Sequence, residues 1–519
     1  MYTLSRNKVW NGVGLLFIAG LVGKVISAFY RVPLQNFTGD TGFYIYQQVY
    51  PLLGTATILA LYGLPSAITQ FYLEHPSEQN NRQTKKKIFI SLAVFGTCIA
   101  VLLYWLSPVL SSWMKDETLT SVIRHTVWVF LFIPITALLR GMYQAKERFN
   151  YFAGSQVIEQ IGRATLIITT SILIGFGIFE RSSIGLGAAV GSVLGLMLAA
   201  IYLIIHKQKV FNESYHASGV TYKDIIPTII GSGLIISMNH MLLLLMQMAD
   251  AFTVVPGLLK TGISLVDATE LKGVIDRGQP LLQLVTITGS SLVMALVPSI
   301  SKQHLLTERT RTIQLIQKAI HYCMYISIGA TAGLIVLMPE INELFFQDRQ
   351  GVFPLRILSI ALLFSPVIIV VVQVLQGFGY RKWIAFIFFV GLWIKVILNY
   401  WLTPLLGTAG NALATVITLL AIFICVAYLL EHHLKQGKDF SSFRLPWIKI
   451  SMAMFSMVGV LWLIQWMDLG SFIHHRLILF LYVIGNVGMG AFVYGWMLYR
   501  LKVISSEDIK QVLGSRKER

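Results

Sequence analysis

The chain has 519 residues, 55% of them hydrophobic and only 13% charged, with a mean hydropathy of +0.69. Soluble domains carry roughly 25% charged residues, so this composition excludes a water-soluble enzyme or binding module. The formal charge of +17 does not indicate nucleic acid, because the Lys and Arg residues fall in short segments that border apolar runs.

Apolar runs of about 20 residues recur from end to end, each long enough to cross a ~30 Å hydrocarbon core. The first run is flanked and interrupted by cations and lacks a small-residue cleavage site, so it reads as a retained span and not a signal peptide. About fourteen spans are predicted, centred near residues 20, 60, 97, 132, 167, 195, 238, 290, 326, 366, 392, 420, 457 and 487. One side collects NNRQTKKK, AKERFN, HKQKV, TERTRTIQLIQK, GYRK, HHLKQGKDFSSFR and the SRKER tail. That side holds about 27 of the 41 Lys and Arg, against about 9 on the other. The bias predicts cytoplasmic N- and C-termini, with border cations touching anionic headgroups.

Between spans, the stretch at 253–278 reads as an ordered, partly helical external excursion, and the polar loop at 207–223 joins two halves. Cys98, Cys323 and Cys425 stand singly in apolar runs, which predicts packing roles and offers neither a metal spacing nor a disulfide framework. The glycine strings GSVLG and GTAG read as small-residue packing surfaces inside spans. No nucleophile elbow, phosphate loop, zinc motif or paired-carboxylate constellation appears in the sequence.

The two halves match. LPSAITQ at 64–70 resembles VPSISKQ at 297–303, and Pro65/Pro298, Ser66/Ser299 and Gln70/Gln303 share an offset of about 233 residues. Pro134/Pro366, Gln144/Gln376 and the cations Arg163/Lys395 follow at about 232. The expected architecture is an all-α polytopic membrane protein of about fourteen helices. An N-terminal lobe at 1–206 holds six spans, 207–223 is the inter-lobe loop, and a C-terminal lobe at 224–433 holds six more. Two further spans fill 434–500, and 501–519 is a basic cytoplasmic tail. Repeated halves of this kind typically enclose a substrate site and rock to give alternating access.

The stretch YRVPLQNFTGDTGFYIYQQVYP followed by YGLPSAITQ, and ADAFTVVPGL (Ala249 to Leu258) running on to VPSISKQ, resemble the polysaccharide-transport and stage V sporulation protein B group. That group lies in the multidrug/oligosaccharidyl-lipid/polysaccharide exporter superfamily, which also holds the lipid II flippases. The resemblance covers essentially the whole chain. It implies a two-lobed flippase of a bacterial plasma membrane, not an enzyme, for polyprenyl-diphosphate-linked saccharides of the cell envelope.

Charges within spans are few: Lys24, Arg31, Arg140, Glu159, Arg163, Asp250 and Lys395. An ionised side chain near the bilayer centre costs at least ~2.5–3.5 kcal/mol on insertion scales, so each should face a cavity or a partner. Lys24, Arg31, Lys395 and Arg163 are the candidate substrate-binding cations, able to replace the hydration of a diphosphate. Lys24 and Arg31, seven residues apart, are expected on nearly one helix face with no acid within a turn. Arg163, four residues after Glu159, is equally placed for an i,i+4 ion pair. Lys395 has only Asn399 nearby, Arg140 reads as a border cation, and Asp40 as a capping or loop residue. Asp250, with Gln247 one turn before it, is either a Na⁺- or H⁺-coupling site or the neutralising partner of Lys24 or Arg31. His240 reads as a core histidine.

No organic cofactor or metal site is expected, and energy would come from Na⁺, H⁺ or the membrane potential. The expected partners are the lipid-linked saccharide, membrane lipids and envelope-synthesis enzymes, with the transporter itself a monomer. A multidrug and toxic-compound extrusion antiporter is the first rival, although its organic-cation substrates call for an acidic, aromatic site. A membrane glycosyltransferase and a non-transporting envelope scaffold are the others.

Overall fold

The computed structural model describes residues 6–206, 219–294, 309–435, 445–467 and 476–504. The repeat segment VPSISKQ, most of the 207–223 loop and the basic tail lie outside them. Among the described residues the architecture is all-helical, as hydrocarbon demands of any spanning segment that satisfies its own backbone. In chain order the helices are α1 (Arg6–Phe29), α2 (Arg31–Ile58), α3 (Leu64–Glu74), α4 (Arg82–Trp113), α5 (Leu119–Thr126), α6 (Trp128–Ala145), α7 (Phe149–Gly175) and α8 (Ser183–Ile205). They continue with α9 (Tyr222–Ile225), α10 (Ser232–Met238), α11 (Leu242–Leu259), α12 (Leu265–Asp276), α13 (Gly278–Met294), α14 (Arg309–Val336), α15 (Met338–Phe346) and α16 (Val352–Ser359). The last are α17 (Ser365–Gly377), α18 (Arg381–Leu406), α19 (Thr408–Lys435), α20 (Trp447–Trp466) and α21 (Arg476–Arg500).

Twelve helical segments among the described residues are long and apolar enough to cross a membrane. The first, Gly14–Glu74, has 61 residues. Its ~90 Å of helix is too long for one crossing, which makes it two of the expected spans. Between α1 and α2 it lacks one helical bond, since Pro33 has no N–H for the carbonyl of Phe29, while Tyr30 keeps helical angles; it breaks at Gly39 (φ 71°, ψ −177°) and widens into a π-helical turn at Leu59–Gly63. The 253–278 excursion is ordered, as expected: α11 runs out to Leu259, and α12 returns after a short turn whose Ser264 caps it.

Two compact units are formed. The first comprises Met1–Leu284 with Tyr380–Thr418, and the second Val285–Gly379 with Leu419–Arg519. In the first, α7 packs on α1 and α8, α3 on α6, α2 on α12, and α11 on α18, around a core that includes Leu34, Phe43, Leu64, Ile68, Ala137 and Leu196. In the second, α14 packs on α17 and α20, and α20 on α21. Two sequence expectations are corrected. Only Cys323 is buried; Cys98 and Cys425 lie on exposed helix faces, where a small thiol is at home in lipid. Within GTAG, Gly407 alone stands outside a span, turning the chain from α18 to α19 at φ 59°, ψ −139°, a conformation that glycine alone adopts without strain, whereas Thr408–Gly410 open α19 and a Cβ at Gly410 would clash with the Leu402 carbonyl of α18. GSVLG does pack within a span: a Cβ at Gly195 would lie 2.5 Å from the carbonyl oxygen of Glu159.

Candidate functional site

All the buried charges of interest belong to the first unit. The turn at Gly407 folds α19 back along α18, so that Lys395 and Asn399 face Asn411 and Thr415. Against this hairpin lies α11, with Gly257 close to Thr403 and Lys260 resting 3.6 Å from the ring centre of Tyr400. That packing delivers Asp250 to the hairpin. The Lys395 ammonium, fully buried, lies 2.9 Å from Asp250 Oδ1. It donates to Asn399 Oδ1 (3.1 Å), the Asn411 carbonyl (3.0 Å) and Thr415 Oγ1 (2.6 Å). The amides of Asn399 and Asn411 in turn donate to the same Asp250 oxygen at 2.8 and 2.5 Å, and Asn399 also donates to Thr253 Oγ1. A buried ion pair is tolerated when further hydrogen bonds satisfy both partners, and here they do.

A second cluster joins α6 and α7. Glu159 splits its two oxygens between Arg140 and Arg163, each at 2.8 Å. Arg140 also donates to Ser155 Oγ and to the Ala60 carbonyl, and Arg163 to Thr57 Oγ1. The i,i+4 pair of Glu159 with Arg163 forms as its spacing predicts. Arg140 is not a border cation: it is fully buried, drawn inward by the same carboxylate.

Arg31 differs from both. It is fully buried, yet none of its three guanidinium nitrogens reaches hydrogen-bond geometry with an acceptor. It lies over the Tyr50 ring at 4.3 Å and near that of Tyr46 at 5.9 Å, while the Tyr46 and Tyr30 hydroxyls bond to each other. Cation–π contact with a desolvated Arg contributes about 2 kcal/mol, well short of what an anion would supply. Lys24 on α1 and Arg31 on α2 differ in burial: Lys24 is exposed and Arg31 is not.

Residues 9–304 match the family model described as "Polysaccharide biosynthesis protein". The chain belongs to the polysaccharide biosynthesis protein family. It is similar over 98% of its length to the uncharacterized membrane protein YabM of Bacillus subtilis (strain 168), at 32% identity and 96% coverage of that protein. Stage V sporulation protein B of the same organism is 28% identical over 58% of this chain and 59% of its own. The lipid II flippase MurJ of that organism is 22% identical over 98% of this chain and 97% of its own. Among solved structures, a lipid II flippase MurJ in an inward closed conformation covers 94% of this chain and 100% of its own, with a TM-score of 0.70 at 14% identity. The fold is therefore that of the exporter superfamily that the sequence resembles, and the chain is a multi-pass membrane protein.

Within this member of the polysaccharide biosynthesis protein family, the structure brings Asp250 to Lys395, and not to Lys24 or Arg31, and Glu159 to Arg163; neither Lys24 nor Arg31 forms an ion pair among the described residues. Gln247 donates to Gln279 at 3.0 Å and not to the Asp250 cluster. His240 is exposed and stacks on Tyr62 with ring centres 4.7 Å apart. Asp40 is neither a cap nor a loop residue: it accepts two hydrogen bonds from buried Arg277, tying α2 to the end of α12. Lys272 and Asp276 pair along α12. Asn411 and Thr415 were not singled out by sequence reading. The one available signal was an asparagine inside an apolar run, four residues before a threonine.

Proposed function

We propose that the chain is a flippase that carries a polyprenyl-diphosphate-linked saccharide from the inner to the outer leaflet of a bacterial plasma membrane. Both termini would lie in the cytoplasm, and the lobes at 1–206 and 224–433 would rock to give alternating access. No covalent bond is made or broken in this reading. Family membership and end-to-end similarity to a protein named as a lipid II flippase support it.

The observation that carries the reading is Arg31, a wholly buried guanidinium that, among the described residues, forms no ion pair and meets no acceptor in hydrogen-bond geometry. In hydrocarbon such a group is costly unless an anion reaches it, and a diphosphate presents oxygens that match a guanidinium fork. Lys24, exposed on the preceding helix, would be the companion cation. Arg163 and Lys395, each already facing a carboxylate, would meet phosphate only on releasing it, and so rank second in the proposed set.

The test measures complementation of a depletion strain together with membrane abundance for Lys24→Ala, Arg31→Ala and Arg31→Lys. Arg31→Ala is expected to abolish transport at near-normal abundance, and Arg31→Lys to restore it only in part. The lipid-linked intermediate that accumulates on depletion, identified by mass spectrometry, names the saccharide. Full activity of both alanine variants, or accumulation of no lipid-linked intermediate, would overturn the proposal.

A further inference from the structure

Lys395 ends in a nest built of oxygen. Four oxygens of four chemical kinds lie within 2.6–3.1 Å of its Nζ: the Asp250 carboxylate, the Asn399 amide, the Asn411 backbone carbonyl and the Thr415 hydroxyl. They come from three helices, α11, α18 and α19. Carboxylate, amide and carbonyl oxygens are the donor set with which proteins bind hard cations. The nest is oriented for a cation and not merely for a hydrogen-bond donor, because Asn399 and Asn411 both turn their NH₂ groups to Asp250. Four acceptors also exceed the three N–H bonds an ammonium owns.

We propose that this nest is a monovalent-cation site in which the Lys395 ammonium is, in this conformation, the covalently tethered occupant in place of Na⁺. One ammonium balances one carboxylate, and the four-carbon stem fills the approach, so a free ion has neither the charge balance nor the room to enter. The consequence is a protein indifferent to Na⁺ that acquires a Na⁺ site when the tether is cut. The inference is independent of the substrate reading above, since its test reads cation binding by purified protein and not transport.

Full-length wild type, Lys395→Ala and Lys395→Met are purified in detergent, and their unfolding temperatures are measured in NaCl against choline chloride at matched ionic strength. Wild type is expected to respond equally to the two salts. Lys395→Ala, with the nest emptied and Asp250 uncompensated, gains a saturable Na⁺-specific rise of about 2–4 °C. Lys395→Met keeps the bulk of the stem and gains none. A Na⁺-specific rise in wild type, or equal responses of Lys395→Ala to both salts, overturns the proposal. Should Lys395→Ala fail to accumulate, the Lys395→Ala/Asp250→Asn double variant decides. Its recovery supports a counter-cation role for the ammonium, and a double variant as depleted as the single overturns it.

Discussion

Arg163 and Lys395 stand at matching positions about 232 residues apart in the sequence, yet their acids come from different places. Glu159 precedes Arg163 by four residues on one helix and bridges to Arg140 on a second. Asp250 comes to Lys395 from α11, a helix far away in sequence, and arrives with two asparagines and a threonine around it. The first cluster is held by helix periodicity and would survive modest shifts of its neighbours. The second exists only while α11, α18 and α19 keep their mutual packing. Cations in spans are thus secured either locally or by assembly, whereas Arg31 rests on the rings of Tyr50 and Tyr46 and has no ion pair among the described residues.

Breaking the local cluster should do the greatest damage. Glu159→Gln leaves two buried guanidinium groups without a carboxylate, and loss of one member of a buried pair costs about 3–5 kcal/mol. Membrane abundance should fall several-fold, read by immunoblot of a tagged chain, and Arg163→Met on the same background should recover only part of it, because Arg140 stays unpaired.

Asp250→Asn tests the assembled cluster. It strands one ammonium and not two, and Thr415 and the Asn411 carbonyl remain to solvate it. The expected loss lies at the lower end of the same range, about 3 kcal/mol. Asp250→Asn/Lys395→Met should unfold at a higher temperature than Asp250→Asn alone, a coupling that a double-mutant cycle measures directly. Strict additivity would mean that the pair is not coupled.

The turn sharpens the comparison without touching a charge. Gly407→Ala forces a residue with a Cβ into φ 59°, ψ −139°, at a cost of about 1–3 kcal/mol. It should lower the unfolding temperature and weaken the Asp250–Lys395 coupling, while the Glu159 cluster, built on α6 and α7, keeps its own.

The smallest effect is expected from Thr415→Val, which removes one of the four oxygens around Lys395 and should cost about 1 kcal/mol in thermal unfolding. An equal cost in Lys395→Met would show that Thr415 acts on its helix and not through the ammonium.

Much of this was legible in the sequence, and unevenly so. The near-continuous apolar runs announce the spans, and the Glu159–Arg163 pair follows from a spacing of four. Arg140 was misread because its position near a span end suggests a border residue, whereas the carboxylate that buries it lies on the next helix. Asp40 looked like a turn residue beside Gly39, and only its bonds to Arg277 show that it ties α2 to α12. Within GTAG, composition does not tell Gly407, which turns the chain, from Gly410, which packs on α18.

The sequence by itself determined that the chain spans a membrane, how many times to expect it to cross, and that each charge within a span must be answered. Those follow from the price of polarity in hydrocarbon, which acts on every residue wherever its neighbours are. Which group answers a charge more than a turn away was decided only by tertiary structure. Contacts such as Asp250 with Lys395, or the lack of an ion pair at Arg31 among the described residues, depend on which helix faces meet, and those are set by the packing of small residues and turns across the fold.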